Sequence, residues 1–259
     1  MSESLERSVA IVAAAMALSA GVTVGVAAEK TLPVDLKIGA DAVSKYVWRG
    51  QLLTDDPVFQ PTATVSYKGL SLNLWGSLDM TDIHETSGHI WRLQELDYTL
   101  AYAYSPLDGL DLQAGATAYT FPGTTFASTT EVYASAALSK VLLAPTLTVY
   151  RDIDEADSWY ANAGVSHTFA FTEKLGLTLG AGLGWGDSHY HDYYFGDRRN
   201  SLSDLLLSSS LNYAVNQNLS LSLYLKYSDM VCAGMRQAAR GTYGDADAVF
   251  GGVNATLAF

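Results

Sequence analysis

Asp247-Ala-Val-Phe-Gly-Gly-Val-Asn-Ala-Thr-Leu-Ala-Phe259 alternates an apolar face (Val249, Gly251, Val253, Ala255, Leu257, Phe259) with a more polar one and stops on an aromatic carboxyl terminus. Successive side chains of a strand project to opposite faces, so this pattern places one face in an apolar medium and the other in a polar one. It is the pattern of a closing strand in a barrel that crosses lipid around a polar lumen. The preceding segment repeats it more cleanly. In Leu219-Ser-Leu-Ser-Leu-Tyr-Leu-Lys-Tyr-Ser228 the leucines and Tyr227 share one face, while Ser220, Ser222, Tyr224, Lys226 and Ser228 share the other. A lumen accepts Lys226, whereas hydrocarbon does not.

The same parity extends upstream. Leu70, Leu72, Leu74 and Leu78 are expected to face outward with Asn73, Trp75, Ser77 and Asp79 inward; Leu96, Tyr98, Leu100, Tyr102 and Tyr104 outward with Glu95, Asp97 and Thr99 inward. A soluble sandwich also alternates, but it buries its apolar face and rarely sets so many leucines opposite charges on successive strands. Alternating segments fall near 34–46, 58–67, 70–79, 92–104, 110–120, 129–139, 146–152, 157–169, 175–185, 201–213, 219–229 and 247–259. The expected fold is all-β: a transmembrane antiparallel up-and-down β-barrel of about 12 strands, both ends of the chain on one side. Tight, turn-rich connections such as Tyr67-Lys68-Gly69 and Val215-Asn-Gln-Asn218 alternate with longer ones near 47–57, 80–91, 121–128, 153–156, 186–200 and 230–246. Short periplasmic turns and longer outer loops are the habit of bacterial barrels. The 16 tyrosines and 5 tryptophans suit aromatic girdles at the two interfaces.

Composition narrows the class. A hydrophobic fraction of 49% is too low for a helical bundle in lipid, and the one long apolar run, Val9 to Val26, ends in Ala27-Ala28-Glu29. The run reads as a secretory signal peptide cut after Ala28, with the barrel over residues 29–259. Its amino-terminal region is poorly basic, so an uncleaved anchor or a misplaced start codon is the alternative. The net charge of −12 argues against nucleic acid as a partner. The single Cys232 excludes an internal disulfide framework, which leaves a hydrogen-bonded closed barrel to hold the fold.

By parity the lumen collects Asp35, Lys37, Asp41, Lys45, Asp79, Glu95, Asp97, Asp111, Glu131, Asp152, Asp204 and Lys226. Of these, Lys37, Lys45, Asp79, Glu95, Asp97, Glu131 and Lys226 are the expected pore-lining residues. If the lumen is open, its excess of carboxylates biases it toward cations or neutral polar solutes. The other reading is that these charges pair across strands and fill a narrow barrel. Twelve strands at about 4.8 Å spacing and about 40° tilt give a backbone radius of roughly 12 Å, of which inward side chains take about half. Only small solutes fit.

Three further groups have the residue types of a site. Asp187-Ser-His-Tyr-His-Asp192 has the composition of a metal site in His189, His191, Asp187 and Asp192, yet solvated loops carry such residues without metal, so no metal or other cofactor is expected. His84 and His89 sit in another outer loop. Ser166 and His167 are adjacent on a strand and point to opposite faces, so they cannot act as nucleophile and base. The chain is not read as an enzyme.

One stretch carries a family likeness. Ser44-Lys-Tyr-Val-Trp-Arg-Gly50, Asp55-Asp-Pro-Val-Phe-Gln-Pro61, Tyr67-Lys-Gly69 and Trp75 to Asp79 resemble the opening of the TorF-type family of outer-membrane porins, over roughly the first three strands. In that family the first strand ends in Ser-x-Tyr-x-x-Arg-Gly and the second begins near Pro-x-x-Gln. The resemblance implies the bacterial outer membrane and a transport role with no agreed substrate. In physical terms Tyr46 and Trp48 suit the outer interface, Arg49 can pair with Asp55 or Asp56, and Gly50 lets the chain turn into the first loop. Arg49 is then a structural residue holding that loop. The expected function is a narrow porin-like channel for passive diffusion of small polar or cationic solutes, with outer-membrane lipid as its surroundings. The alternative is a closed structural or adhesive barrel that binds a partner through its loops.

Overall fold

The protein is described by a computed structural model over residues 34–84 and 90–259. The leader expected at 1–28 lies outside the described residues, as does His89. The chain runs β1 (Asp35–Val43), β2 (Tyr46–Trp48), β3 (Gln51–Thr54), β4 (Val58–Tyr67), β5 (Leu70–Asp79), β6 (Leu93–Leu107), β7 (Leu110–Thr120) and β8 (Thr129–Leu138). It continues through β9 (Thr146–Asp152), β10 (Trp159–Ala170), β11 (Leu175–Gly186), α1 (Ser188–Phe195), β12 (Ser201–Ala214), β13 (Leu219–Met230), α2 (Ala233–Tyr243) and β14 (Asp247–Ala258). Twelve of these strands, β1 and β4 to β14, form one closed antiparallel barrel. The sequence pattern anticipated each of them, with boundaries shifted by a few residues; the largest shifts are in β1, which stops at Val43, and in β6, which runs on to Leu107.

Closure is made by β1 against β14, where Ile38 lies opposite Leu257 and Asp41 opposite Asn254. The terminal residue seals the seam: the Phe259 N–H donates to the Leu36 carbonyl at 2.8 Å, and the Leu36 N–H returns the bond at 3.3 Å. Turn chemistry sets the register at this same end of the strands, where Leu36 lies opposite Val65 of β4. Lys68 and Gly69 join β4 to β5 with φ of 49° and 87°. Positive φ at both central residues is the type I′ geometry whose twist matches paired strands.

The two faces separate as the alternation requires. Leu72, Leu100, Leu223 and Val253 are each at least half exposed, whereas Ser71, Asn73, Glu95, Asp97 and Asn254 are buried. A continuous ring of bare leucine and valine is stable only against hydrocarbon. Tyr67, Tyr102, Tyr104 and Tyr213 border this band at the end with short turns, and Trp91, Trp159 and Trp185 border it at the other. The girdle reading covers only part of the aromatic residues. Tyr160 and Tyr224 are buried on the inner face, as are Tyr190 and Phe195 of α1 in the outer loops. Inside a barrel a ring fills lumen volume and its hydroxyl finds a polar partner, which a lipid-facing position does not offer.

The lipid-facing parity has a direct test. Leu223→Arg is expected to lower barrel stability by about 2–4 kcal/mol, because a cation at mid-membrane loses hydration. Ser222→Arg keeps a lumenal position beside Asn212, with which Ser222 bonds at 2.8 Å, and should lose far less. Reversible denaturant unfolding of both variants in vesicles measures the difference; equal losses would reverse the assigned faces.

Candidate functional site

The first outer connection does not stay outside. After β1 the chain turns inward as the short hairpin β2–β3, paired with each other and with no barrel strand. Trp48 lies opposite Gln51, so Arg49-Gly50 is a two-residue turn. Both residues have positive φ, 46° and 80°. Glycine takes that conformation freely, and a Cβ at position 50 would also collide with Met230 Sδ and Asp204 Cβ. Arginine is a poor choice at the first turn position, so something other than local preference holds Arg49 there.

That hold comes from the far wall. The hairpin springs from the β1/β4 seam, and its tip reaches β8, β9 and β10, about halfway round the barrel order. Arg49 makes a two-pronged ion pair with Glu131 of β8, Nη1 to Oε1 at 2.7 Å and Nη2 to Oε2 at 2.8 Å. The Tyr119 hydroxyl donates to Glu131 Oε2 at 2.9 Å. The guanidinium carbon lies 4.4 Å from the ring centre of Trp48, 4.2 Å from that of Tyr150 and 4.3 Å from that of Tyr160. Both charged side chains are almost fully enclosed, at 9% and 3% exposure. A planar guanidinium suits this surround because it binds a carboxylate through two donors while its faces stack on rings.

The outer loops close over the hairpin. Asp187 caps α1, accepting from the Tyr190 N–H at 2.8 Å, and Gly196 ends the helix in the left-handed conformation at φ 66°. The Tyr243 hydroxyl of α2 donates to Gln51 Oε1 at 2.7 Å, and Gln51 Nε2 reaches the Tyr190 hydroxyl at 3.4 Å. Tyr160, Tyr190, Phe195, Met230, Met235 and Ala239 pack into one buried cluster beneath the helices. Below the hairpin tip lies a cavity of about 260 Å³, lined by Arg49, Tyr119, Tyr150, Tyr160, Asp204 and Lys226 and running down to Asp111 and Thr146 near the short-turn end.

The expected site residues divide among different roles. Glu131 meets Arg49, and Lys226 lines the cavity with its ammonium 4.9 Å from the Tyr224 ring centre. Glu95 and Asp97 are buried on the inner face of β6, where the Tyr46 hydroxyl bonds Glu95 and its ring lies 5.6 Å from that of Trp75, the cross-strand partner of Asp97. Asp79 is held at the outer rim by His84 at 2.9 Å and Gln94 at 2.5 Å. Lys37 is half-buried on β1 opposite Thr64 of β4.

Three expectations are corrected. Lys45 is not on a barrel strand but in the link to the hairpin, ion-paired with Asp55. Tyr46 and Trp48 do not sit at the membrane interface; they lie within the barrel, Trp48 edge-on to Tyr119 at 5.9 Å and to Tyr194 at 5.5 Å. Arg49 pairs with Glu131 rather than with Asp55 or Asp56, because the hairpin carries it across the lumen instead of leaving it in a solvated loop.

The histidine loop is a helix, where alternate residues diverge. His189 Nδ1 is 3.0 Å from the Asp157 carbonyl and His191 Nδ1 is 2.7 Å from that of Arg199, so the two rings do not converge. Burial holds the His191 imidazole below its ordinary pKa. Parity alone would have found Tyr150 and Tyr160 as inward residues; the hairpin signal was the Arg-Gly pair between Trp48 and Gln51.

The closed barrel and its apolar belt together define the fold class of outer-membrane β-barrels. The chain belongs to a family described as "Bacterial protein of unknown function (Gcw_chp)", which matches residues 27–231. No curated protein sequence matches it. Among solved structures it is similar to an outer membrane channel from Pseudomonas putida F1, with TM-score 0.53 and 11% identity, over 89% of this chain and 97% of that one. It is also similar to the NanC porin, with TM-score 0.51 and 10% identity over 86% and 98% of the two chains. The KdgM porin, solved in complex with disordered oligogalacturonate, gives TM-score 0.50 and 9% identity over 87% and 99%. At such identities the likeness is one of fold.

The buried pair gives a prediction for the hairpin. Glu131→Gln leaves the guanidinium uncompensated, a loss of about 3–5 kcal/mol for enclosed pairs. Amide hydrogen exchange over residues 46–54 should then accelerate by about a hundredfold or more while the barrel strands stay protected. Unchanged exchange would mean that the hairpin is held by packing alone.

Proposed function

We propose that this protein is a porin-like channel of the bacterial outer membrane, exported by a signal peptide at 1–28 and passing small polar or cationic solutes through a lumen narrowed by the β2–β3 hairpin. The observation that carries the reading is the crossing of the lumen by a polar-tipped hairpin inside a lipid-facing barrel. A barrel built only to be rigid fills its interior from its own strands, whereas this one is blocked by a separate element joined at one seam. The TorF-type resemblance of residues 44–79 supports the same class and adds no solute. Non-enzymatic, passive permeation accounts for the site without a nucleophile or bound group.

Charge supports the cation preference. Asp41, Glu95, Asp97 and Asp204 lie buried on the inner face, where Lys226 faces Asp41 and Arg49 faces Asp204. Carboxylates in a wall of low polarity project a negative potential along the lumen. A second reading is favoured by the outer cover: α1, α2 and the hairpin together are the arrangement of a closed barrel that presents its loops to a partner.

Planar-bilayer recording separates the two. Native protein should give small, infrequent openings whose reversal potential under a salt gradient shifts toward the cation value. Glu131→Gln should open more often, and the Asp79→Asn, Glu95→Gln, Asp97→Asn variant should lose part of the cation shift. Anion preference, or no change on neutralising all three, would defeat the selectivity; silence of both native protein and Glu131→Gln would favour the closed barrel.

A further inference from the structure

We propose that the wall around Arg49 is a recognition site for guanidinium groups, filled in this structure by the protein's own arginine, and that small guanidinium-bearing solutes compete for it. The inference rests on the channel reading for its use, since a solute that displaces Arg49 also unlatches the hairpin. The wall belongs to the barrel and not to the loop. Glu131, Tyr119, Tyr150 and Tyr160 come from four successive strands, and pairing fixes their places: Glu131 opposite Asp152 on β9, and Tyr150 opposite Tyr160 on β10. It therefore persists when the hairpin leaves.

Its chemistry selects one ion shape. A carboxylate that already accepts from Tyr119 offers both oxygens to parallel N–H donors, and the rings of Tyr150 and Tyr160 each lie within 4.3 Å of the guanidinium carbon. An ammonium satisfies the charge but neither the fork nor the flat faces. Local geometry also marks Arg49 as an occupant held from outside, because its φ of 46° at the head of a two-residue turn favours Asn, Asp or Gly. An approach exists: the cavity of about 260 Å³ meets the same tyrosines, and Asp204, bonded by the Tyr160 hydroxyl at 2.9 Å, lines it beside them.

A tethered occupant acts as a competitor at an effective concentration on the order of millimolar. Removing it should expose the site. Arg49→Asn converts the turn to Asn-Gly, the pair this turn geometry prefers, so the hairpin retains its fold; Arg49→Gly, giving Gly-Gly, is the second variant. Calorimetry on refolded protein in detergent, with folding verified by heat-modifiable gel mobility, would titrate ethylguanidinium and ethylammonium. Both variants should bind ethylguanidinium about tenfold or more tightly than native protein does, and about tenfold more tightly than ethylammonium. Adding Glu131→Gln to Arg49→Asn should abolish the binding. The proposal is overturned if Arg49→Asn and Arg49→Gly bind no better than native protein, if ethylammonium binds equally, or if the Glu131→Gln background binds as well. Because the titration needs no conduction, a silent channel with a working site would defeat the transport reading alone, and a conducting channel without binding would defeat the site alone.

Discussion

In hydrocarbon there is no water to satisfy a backbone N–H or C=O, so a sheet can cross the membrane only if its first and last strands pair. The seam between β1 and β14 is therefore the constraint on which the rest of this molecule depends. It sets the strand number, and with it a lumen of roughly 12 Å backbone radius. It also forces every strand to divide its side chains between two solvents, and the whole charge and aromatic distribution follows. Lys226 and Leu225 are neighbours in sequence, yet Leu225 is 57% exposed to the lipid side while Lys226 lines the inner cavity.

A closed barrel still has to settle the state of its interior. Narrow barrels are filled by strand side chains, and some acids on this inner wall are anchored by neighbours, as Asp41 is by Asn254 at 2.8 Å and Asp152 by Thr129 at 2.8 Å. The hairpin adds a different kind of filling. Its Arg49–Glu131 pair removes two charges from water, a desolvation cost opposed by their mutual attraction, stacking on three rings and the Tyr119 hydroxyl. Such a pair is weak evidence for stability but strong evidence for register: a one-residue slip of the hairpin leaves both charges buried alone. The strained turn residue points the same way, since it persists only because the far wall dictates its position.

The barrel was legible in the sequence because period-two alternation is a local property, repeated in segment after segment and read without knowing which strand pairs with which. Leu219 to Ser228 shows its two faces in isolation. What lay within the loops was not legible in that way. Residues 46–54 carry too few positions for a periodicity, and whether Tyr46 and Trp48 meet lipid or lumen depends on the direction in which the loop folds, which contacts with β5, β7 and α1 decide. The pairing of Arg49 with Glu131 spans 82 positions, beyond any local rule, although parity had already turned Glu131 inward. The helices α1 and α2 were hidden for a related reason: in loops their length and polarity resemble solvated connection, and their buried sides become visible only against the hairpin they cover.

Hairpin and cover are mechanically one unit. Gln51 bonds to Tyr243 of α2 and to Tyr190 of α1, and Trp48 packs edge-on to Tyr194, so the lumenal hairpin and the outer surface share side chains. Withdrawal of Arg49 from the wall must drag Gln51 with it and break the bonds that seat both helices. Conversely, a change in the outer loops that frees Tyr243 removes one of the restraints on the turn. Packed interfaces of this kind are bistable rather than continuously deformable, because a partial shift loses the bonds without gaining new ones. The arrangement couples the outer surface of the barrel to the state of its lumen through a path of three residues, Tyr243, Gln51 and Arg49, the last two adjacent across one glycine.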